Sequence, residues 1–161
     1  MRVTEMYTDE MQPFVKSMVE VVKDITYGSA APAPISREEG IRLHAMMITH
    51  WRDYGLLTKY TQIAKEATFE QPISIRVNGV EINGVPDVIT KHEIIDYKCG
   101  NMYEPRYLFQ LEMYAYMMHL LGRKICRVIL FNPRTNHLIK MRLKGNFVSS
   151  FKKQLAQWLR S

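Results

Sequence analysis

Residues 84–100, GVPDVITKHEIIDYKCG, hold two short apolar runs around a single polar break. Val85, Val88 and Ile89 mark one run and Ile94 and Ile95 the other, the pattern of buried strands. Thr90-Lys91-His92-Glu93 is the break. With Lys91 and His92 as a two-residue turn, residues whose numbers sum to 183 stand opposite each other, Asp87 and Asp96 among them. Side chains alternate along a strand, so Lys98 shares the face of Asp96. Two carboxylates directly opposed in a ladder repel, and a divalent cation is the obvious compensation. A three-residue turn would instead shift the pairing by one and part the acids. The face would then be a solvated one whose acids and lysine pair as surface charges. The apolar setting favours the first arrangement, because acids inside Val/Ile-rich strands are rarely buried without a function.

The 161 residues suffice for one compact domain with a sizeable core. A single domain over 1–161 is expected, with a helical part over about 1–68 and a sheet-and-helix part over about 69–161. The apolar runs are too short to span a membrane. The N-terminal MRVTEMYTDEMQPF lacks the apolar core of a signal peptide. Two cysteines, Cys99 and Cys126, are too few for a disulfide framework or a thiolate cluster, so an intracellular, reducing setting is expected. The net charge of +6 conceals an asymmetry. Residues 1–122 carry 12 Lys/Arg against 16 Asp/Glu, whereas residues 123–161 carry 10 Lys/Arg and no acid. Such a segment attracts polyanions, phosphate backbones being the commonest. A basic face kept for solubility and a contact with an acidic protein are the alternatives.

Phe14, Met18, Val22 and Ile25 predict an amphipathic helix over 9–26, followed by a Pro-rich loop from Tyr27 to Pro34. Ser36-Arg37-Glu38-Glu39 is a capping box that opens a second helix running to about Tyr54, and a short third helix is expected over 59–67. Strands follow at about 71–78, 80–90 with a bend at Gly84, and 93–99, with Asn78-Gly79 a strong hairpin signal. Pro105 starts a helix that Gly122 ends. Two strands at 125–131 and 137–143 and a helix at 147–159 close the chain. This order predicts an α/β domain, one mixed sheet flanked by helices.

Asp87 and Asp96 supply the hard oxygen ligands that Mg²⁺ and Mn²⁺ prefer. A metal held by two carboxylates keeps positions for water and a phosphate oxygen, which is the chemistry of phosphodiester hydrolysis. Lys98 on the same face could orient or deprotonate the attacking water, or neutralise the transition state. His44 lies in the apolar stripe Ile41, His44, Ile48 and Trp51 of the second helix, where it is either a hydrogen-bonded core residue or a neutral imidazole ligand. His50, His92, His119 and His137 read as structural or surface residues. Gln110 and Tyr114, four apart on one helix, share a face. They read as phosphate and base contacts or as a polar pair at the core edge. Tyr97, Tyr103 and Tyr107 are candidates for base stacking or core filling. Glu70 reads as a surface acid or as a further group approaching the metal or a second one.

Gly40-Ile41-Arg42-Leu43-His44, Gly84-Val85-Pro86-Asp87, Ile94-Ile95-Asp96-Tyr97-Lys98-Cys99-Gly100 and Gln110-Leu111-Glu112-Met113-Tyr114 follow one another in an order that resembles the RecB-type branch of the PD-(D/E)xK nuclease superfamily. The resemblance covers about residues 36–131, and its most specific part is Asp96-Tyr97-Lys98 followed by Gln110-x-x-x-Tyr114. It implies a restriction-endonuclease-like core, a mixed sheet with helices on both sides. It implies a metal, Mg²⁺ or Mn²⁺, on His44, Asp87, Asp96 and the main-chain carbonyl of Tyr97. It implies a catalytic role for Lys98, and DNA contact and support of the site for Gln110 and Tyr114. The CRISPR-associated members of the branch carry four cysteines on an iron–sulfur cluster; with two cysteines, no such cluster is expected here.

The resulting expectation is a metal-dependent DNase, an exonuclease on DNA ends or single strands, with exonuclease action carried by the resemblance alone. Repair, recombination and viral or phage genome processing are the settings it suggests, with a helicase or a replication or recombination protein as a partner and no membrane. The oligomeric state is left open. An endonuclease on branched DNA or on RNA, and a non-catalytic nucleic-acid-binding module, are the alternatives. The acids and the lysine are all intact, which counts against the last.

Overall fold

The computed structural model describes residues 2–7, 38, 41, 42, 45, 67–98, 105–132 and 137–160. Its strands are β1 (Arg2–Tyr7), β2 (Thr68–Phe69), β3 (Ile73–Val77), β4 (Val80–Gly84), β5 (Val88–Ile89), β6 (Glu93–Tyr97), β7 (Arg127–Asn132) and β8 (His137–Arg142). Two helices, α1 (Pro105–Leu120) and α2 (Phe147–Arg160), accompany them. Glu38, Ile41, Arg42 and Ala45 are helical, as the capping box predicts. The helix expected over 9–26, the loop of 27–34, the rest of the second helix with His44, and all but the last residue of the 59–67 helix lie outside the described residues.

The 84–100 hairpin has the expected register. Val88 pairs with Ile95 and Ile89 with Ile94, and the Thr90 amide donates to the Glu93 carbonyl at 2.9 Å, closing the turn on Lys91 and His92. The next rung outward brings Asp87 opposite Asp96. β6 runs parallel to β7, β7 antiparallel to β8, and β1 parallel to β8, so the order is β1-β8-β7-β6-β5-β2, a mixed six-stranded sheet.

The expected single sheet is in fact two. Among the described residues β3 and β4 pair only with each other, through a turn in which Asn78 and Gly79 both have positive φ, the geometry that the Asn-Gly dipeptide favours. Pro86, which has no amide to give a ladder, separates β4 from β5 where a single bent strand was expected. β1 was not expected at all; its partner is the last strand of the sheet.

Strand alternation divides the sheet's side chains between two cores. On one face Ile89, Ile94, Val128, Leu130, Ile139 and Met141 pack with α1 and with Phe151 and Leu155 of α2. On the other, Val88, Ile95, Tyr97, Ile129, Phe131 and Leu138 form a second cluster with Ala67 and Phe69 against it. α1 is buried from Tyr107 to Met118, Gln110 alone being half-buried. It ends where Gly122, at positive φ, and Arg123 return amides to His119 and Met118 at 3.0 and 2.8 Å, a Schellman cap.

Candidate active site

Asp87 belongs by parity with Ile89, and Asp96 and Lys98 with Ile94, so all three lie on the face that α1 covers. The aspartates are buried, at 6% and 5% exposure, and Lys98 is half-buried at the mouth. Asp87 is held twice. Its Oδ2 accepts the Tyr97 amide at 2.7 Å, and its carbonyl accepts the Glu70 amide at 3.0 Å. A carboxylate accepting a backbone N–H is favoured in its charged form. Lys98 leaves β6 with its amide donating to the Phe131 carbonyl at 2.9 Å.

The Lys98 ammonium lies 2.8 Å from Asp96 Oδ2, donates to Gln110 Oε1 at 3.4 Å, and stands 4.3 Å from the centroid of the Tyr107 ring. Burial opposes its charge. The attraction and hydrogen bond of Asp96 outweigh that, with Asp87 and Tyr107 adding, and hold the ammonium above the usual lysine range. The pair with Asp96 thus favours the charged form of Lys98.

Gln110 Nε2 in turn donates to the Tyr114 hydroxyl at 3.2 Å, and that hydroxyl also bonds with the main chain of Val85. Burial, then the charges of Asp96 and Asp87, push the Tyr114 phenol above the usual tyrosine range. A continuous line of contacts thus runs from Asp96 through Lys98, Gln110 and Tyr114 to the loop that carries Asp87.

Of the residues singled out in the sequence, Asp87, Asp96, Lys98, Gln110 and Tyr114 come together. The Tyr97 side chain points to the opposite face, edge-on to Phe131 with ring centroids 6.3 Å apart, so only its main chain borders the site. Tyr107 is 4% exposed and packs on Lys98, the core-filling of its two expected roles. Glu70 is exposed and reaches Asp87 through its backbone. Among the described residues no third His, Cys, Asp or Glu gathers with the two aspartates in a metal-holding group; His44 and Tyr103 lie outside them.

Two polar residues on this face were not picked out from the sequence. Asn132 and His137 face each other as Cα partners, are 2% and 3% exposed, and lie on the rung that continues from Lys98 across β7 and β8. His137 was expected to be structural or surface; it is buried. Its strand parity beside Ile139 and Met141 is the only sequence signal for this.

A mixed sheet that carries two buried carboxylates and a lysine at one end, under a buried helix, defines a restriction-endonuclease-like α/β protein. The chain belongs to the PD-(D/E)XK nuclease superfamily, whose model matches residues 5–160. Members of this superfamily are metal-dependent nucleases, typically using Mg²⁺. The solved structure described as "Crystal structure of SSO0001" is similar in fold, with a TM-score of 0.52 and 16% identity, over 96% of this chain and 73% of that one. No curated protein matches the sequence. No helix among the described residues is long and apolar enough to cross a membrane.

Proposed function

We propose that this chain is a divalent-metal-dependent deoxyribonuclease of the RecB-type branch, acting as an exonuclease on DNA ends or single strands. The observation that carries the reading is the Asp87–Asp96–Lys98 cluster, two buried acids on one rung and an ammonium 2.8 Å from the second. Its donor set fits Mg²⁺ or Mn²⁺, because both side chains offer hard oxygens. A carboxylate has about four acceptor positions, so the donors on Asp87 and Asp96 do not exhaust them. Asp87, Asp96 and the Tyr97 carbonyl would hold the ion, with His44 a further ligand by resemblance. When bound, the ion polarises the phosphate and lowers the pKa of water.

The protein's own groups do the rest. The Tyr97 amide orients Asp87. Lys98 uses one N–H on Asp96 and one on Gln110. Its third donor is available to a phosphate oxygen as negative charge builds there, the kind of preorganised stabilisation that usually contributes most to such a reaction. Gln110 and Tyr114 hold the lysine at its angle and border the path of the strand.

The test is cleavage of end-labelled single-stranded, duplex and circular DNA in Mg²⁺, Mn²⁺ or EDTA, by the parent chain and by Asp96→Asn. Metal-dependent loss of linear DNA, absent in Asp96→Asn and on circles, is the expected outcome. Cutting of circles would make the protein an endonuclease. No cleavage of DNA or RNA would leave the binding-module reading.

A further inference from the structure

The sheet has a second polar end. Glu93 and Arg127 begin β6 and β7 side by side, and Arg142, which ends β8, is the Cα partner of Arg127. That rung lies five residues back along β6 from Lys98, about 16 Å at the usual strand rise. An open groove of about 780 Å³ sits there, with Arg127, Arg142 and Lys144 and the Gly145-Asn146 turn among its lining. No acid lines it.

Arg127 and Arg142 stand directly opposite each other in an antiparallel ladder, where like charges repel. Glu93 answers one of them only: its Oε2 is 3.1 Å from Arg127 Nε, and its side chain is fully buried. Arg142 is exposed and has no carboxylate partner among the described residues. Lys144, also exposed, follows it. The groove then meets the start of α2, whose first turn carries no acid to offset its positive end. A basic face kept for solubility needs neither a concave surface nor two opposed arginines. A strand with one phosphate per residue and no cation of its own answers both.

We infer that this groove is a second phosphate-binding site, which holds nucleic-acid backbone at the far end of the sheet, Arg127 and Arg142 falling by strand parity on the face opposite the aspartates. The inference rests on the nuclease reading for the identity of the polyanion. Contacts of Arg and Lys with phosphates carry no sequence information, so the groove contributes affinity and orientation, not choice of bases. Glu93 fixes Arg127 as a floor; Arg142 and Lys144 are the exposed contacts.

The test uses the full chain carrying Asp96→Asn in EDTA, so that binding is read without turnover. Fluorescence anisotropy follows labelled single-stranded and duplex DNA over a salt series. Arg142→Glu with Lys144→Glu should weaken binding by at least about tenfold and lower the salt slope by roughly two. The comparison is Lys152→Glu with Lys153→Glu, an equal charge reversal on the exposed side of α2 and outside the groove. It should cost less than about threefold. Should the glutamates disturb folding by circular dichroism, Arg142→Gln with Lys144→Gln removes the same contacts and should still lower the slope. Equal losses from the two pairs would reduce the effect to overall charge and overturn the inference. Undiminished DNA binding, with lost binding of a poly-aspartate peptide, would overturn it in favour of an acidic protein partner. Absence of cleavage by the parent chain would defeat the nuclease reading alone, since the titration does not depend on turnover.

Discussion

Gly84 sets how closely β4 can pass α1. A Cβ at this position would collide with the Tyr114 ring at Cε1. The ring cannot move away cheaply, because its hydroxyl is tied to Gln110 and to the Val85 main chain. Gly84→Ala should therefore cost about 1–3 kcal/mol, the usual range for overpacking, and should loosen Lys98 through Gln110. In a Tyr114→Ala background the same substitution should cost close to nothing, so a double-mutant cycle in urea reads the contact directly; additive losses would refute it. The buried titratable groups add a pH dependence. Lys98 is lifted by Asp96 against its own burial, and Tyr97 and Tyr114 by burial and then by the aspartates. Each raised group binds its proton more tightly folded than unfolded. The stability it contributes is whole below the ordinary pKa, about 10 for tyrosine and about 10.4 for lysine, and is lost as pH rises through the folded value. Urea midpoints should thus hold from neutral pH to about 10 and fall beyond it. Tyr114→Phe should make that fall shallower.

Among the described residues, α2 reaches the site through α1. Phe151, 2% exposed, packs against Phe109 and Tyr116 of α1 at ring-centroid distances of 5.4 and 5.3 Å, and against Phe147 and Trp158 of its own helix. Gln110 and Tyr114 are elsewhere on α1, turned to Lys98. Phe151→Ala should cost about 3–5 kcal/mol, while metal-dependent cleavage per folded molecule stays within about twofold; Phe151→Leu gives the same contrast at lower cost. The elements legible in the sequence were those whose signals are local. The β5–β6 register followed from two apolar runs and a two-residue turn, α1 from Pro105 and Gly122, and the β3–β4 turn from Asn78-Gly79. What was not legible depends on distant partners. β1 is a strand because β8, more than a hundred residues later, offers it a parallel edge, and nothing in Arg2–Tyr7 announces that. The division of β4 from β5 needed Pro86 weighed as a missing amide. In the site, Asp87, Asp96 and Lys98 could be placed from strand parity, and Gln110 and Tyr114 from helix spacing. Asn132 and His137 could not, because their place on the rung of Lys98 exists only once β7 and β8 are laid beside β6.

Across the whole molecule the sheet separates two charged ends. Asp87 and Asp96 lie at one, Arg127 and Arg142 at the other, and the apolar rungs between them insulate the two. The far end is a fold device as well as a surface. Glu93, with no exposure, accepts Thr90 Oγ1 at 3.5 Å and gives its amide to the same oxygen at 3.1 Å, while Arg123 Nη2 donates to the Thr90 carbonyl at 2.9 Å. Arg127 supplies the cation beside this buried carboxylate. Removing one partner of such a pair typically costs about 3–5 kcal/mol, because a charge is left behind in a dry place. Arg127→Met should lower the urea midpoint by that amount, and adding Glu93→Gln should recover most of it, since an uncharged pair leaves nothing stranded. Metal affinity, read by calorimetry with Mn²⁺ on the folded protein, should match the parent in both variants, because the change lies three residues, about 10 Å, from the aspartate rung along β6, with two apolar rungs between. A loss of metal binding that tracks the loss of stability would mean that the two ends of the sheet are coupled and that the apolar rungs do not insulate them. A cost below about 1 kcal/mol for Arg127→Met would mean that water reaches Glu93 and that the pair behaves as a surface one.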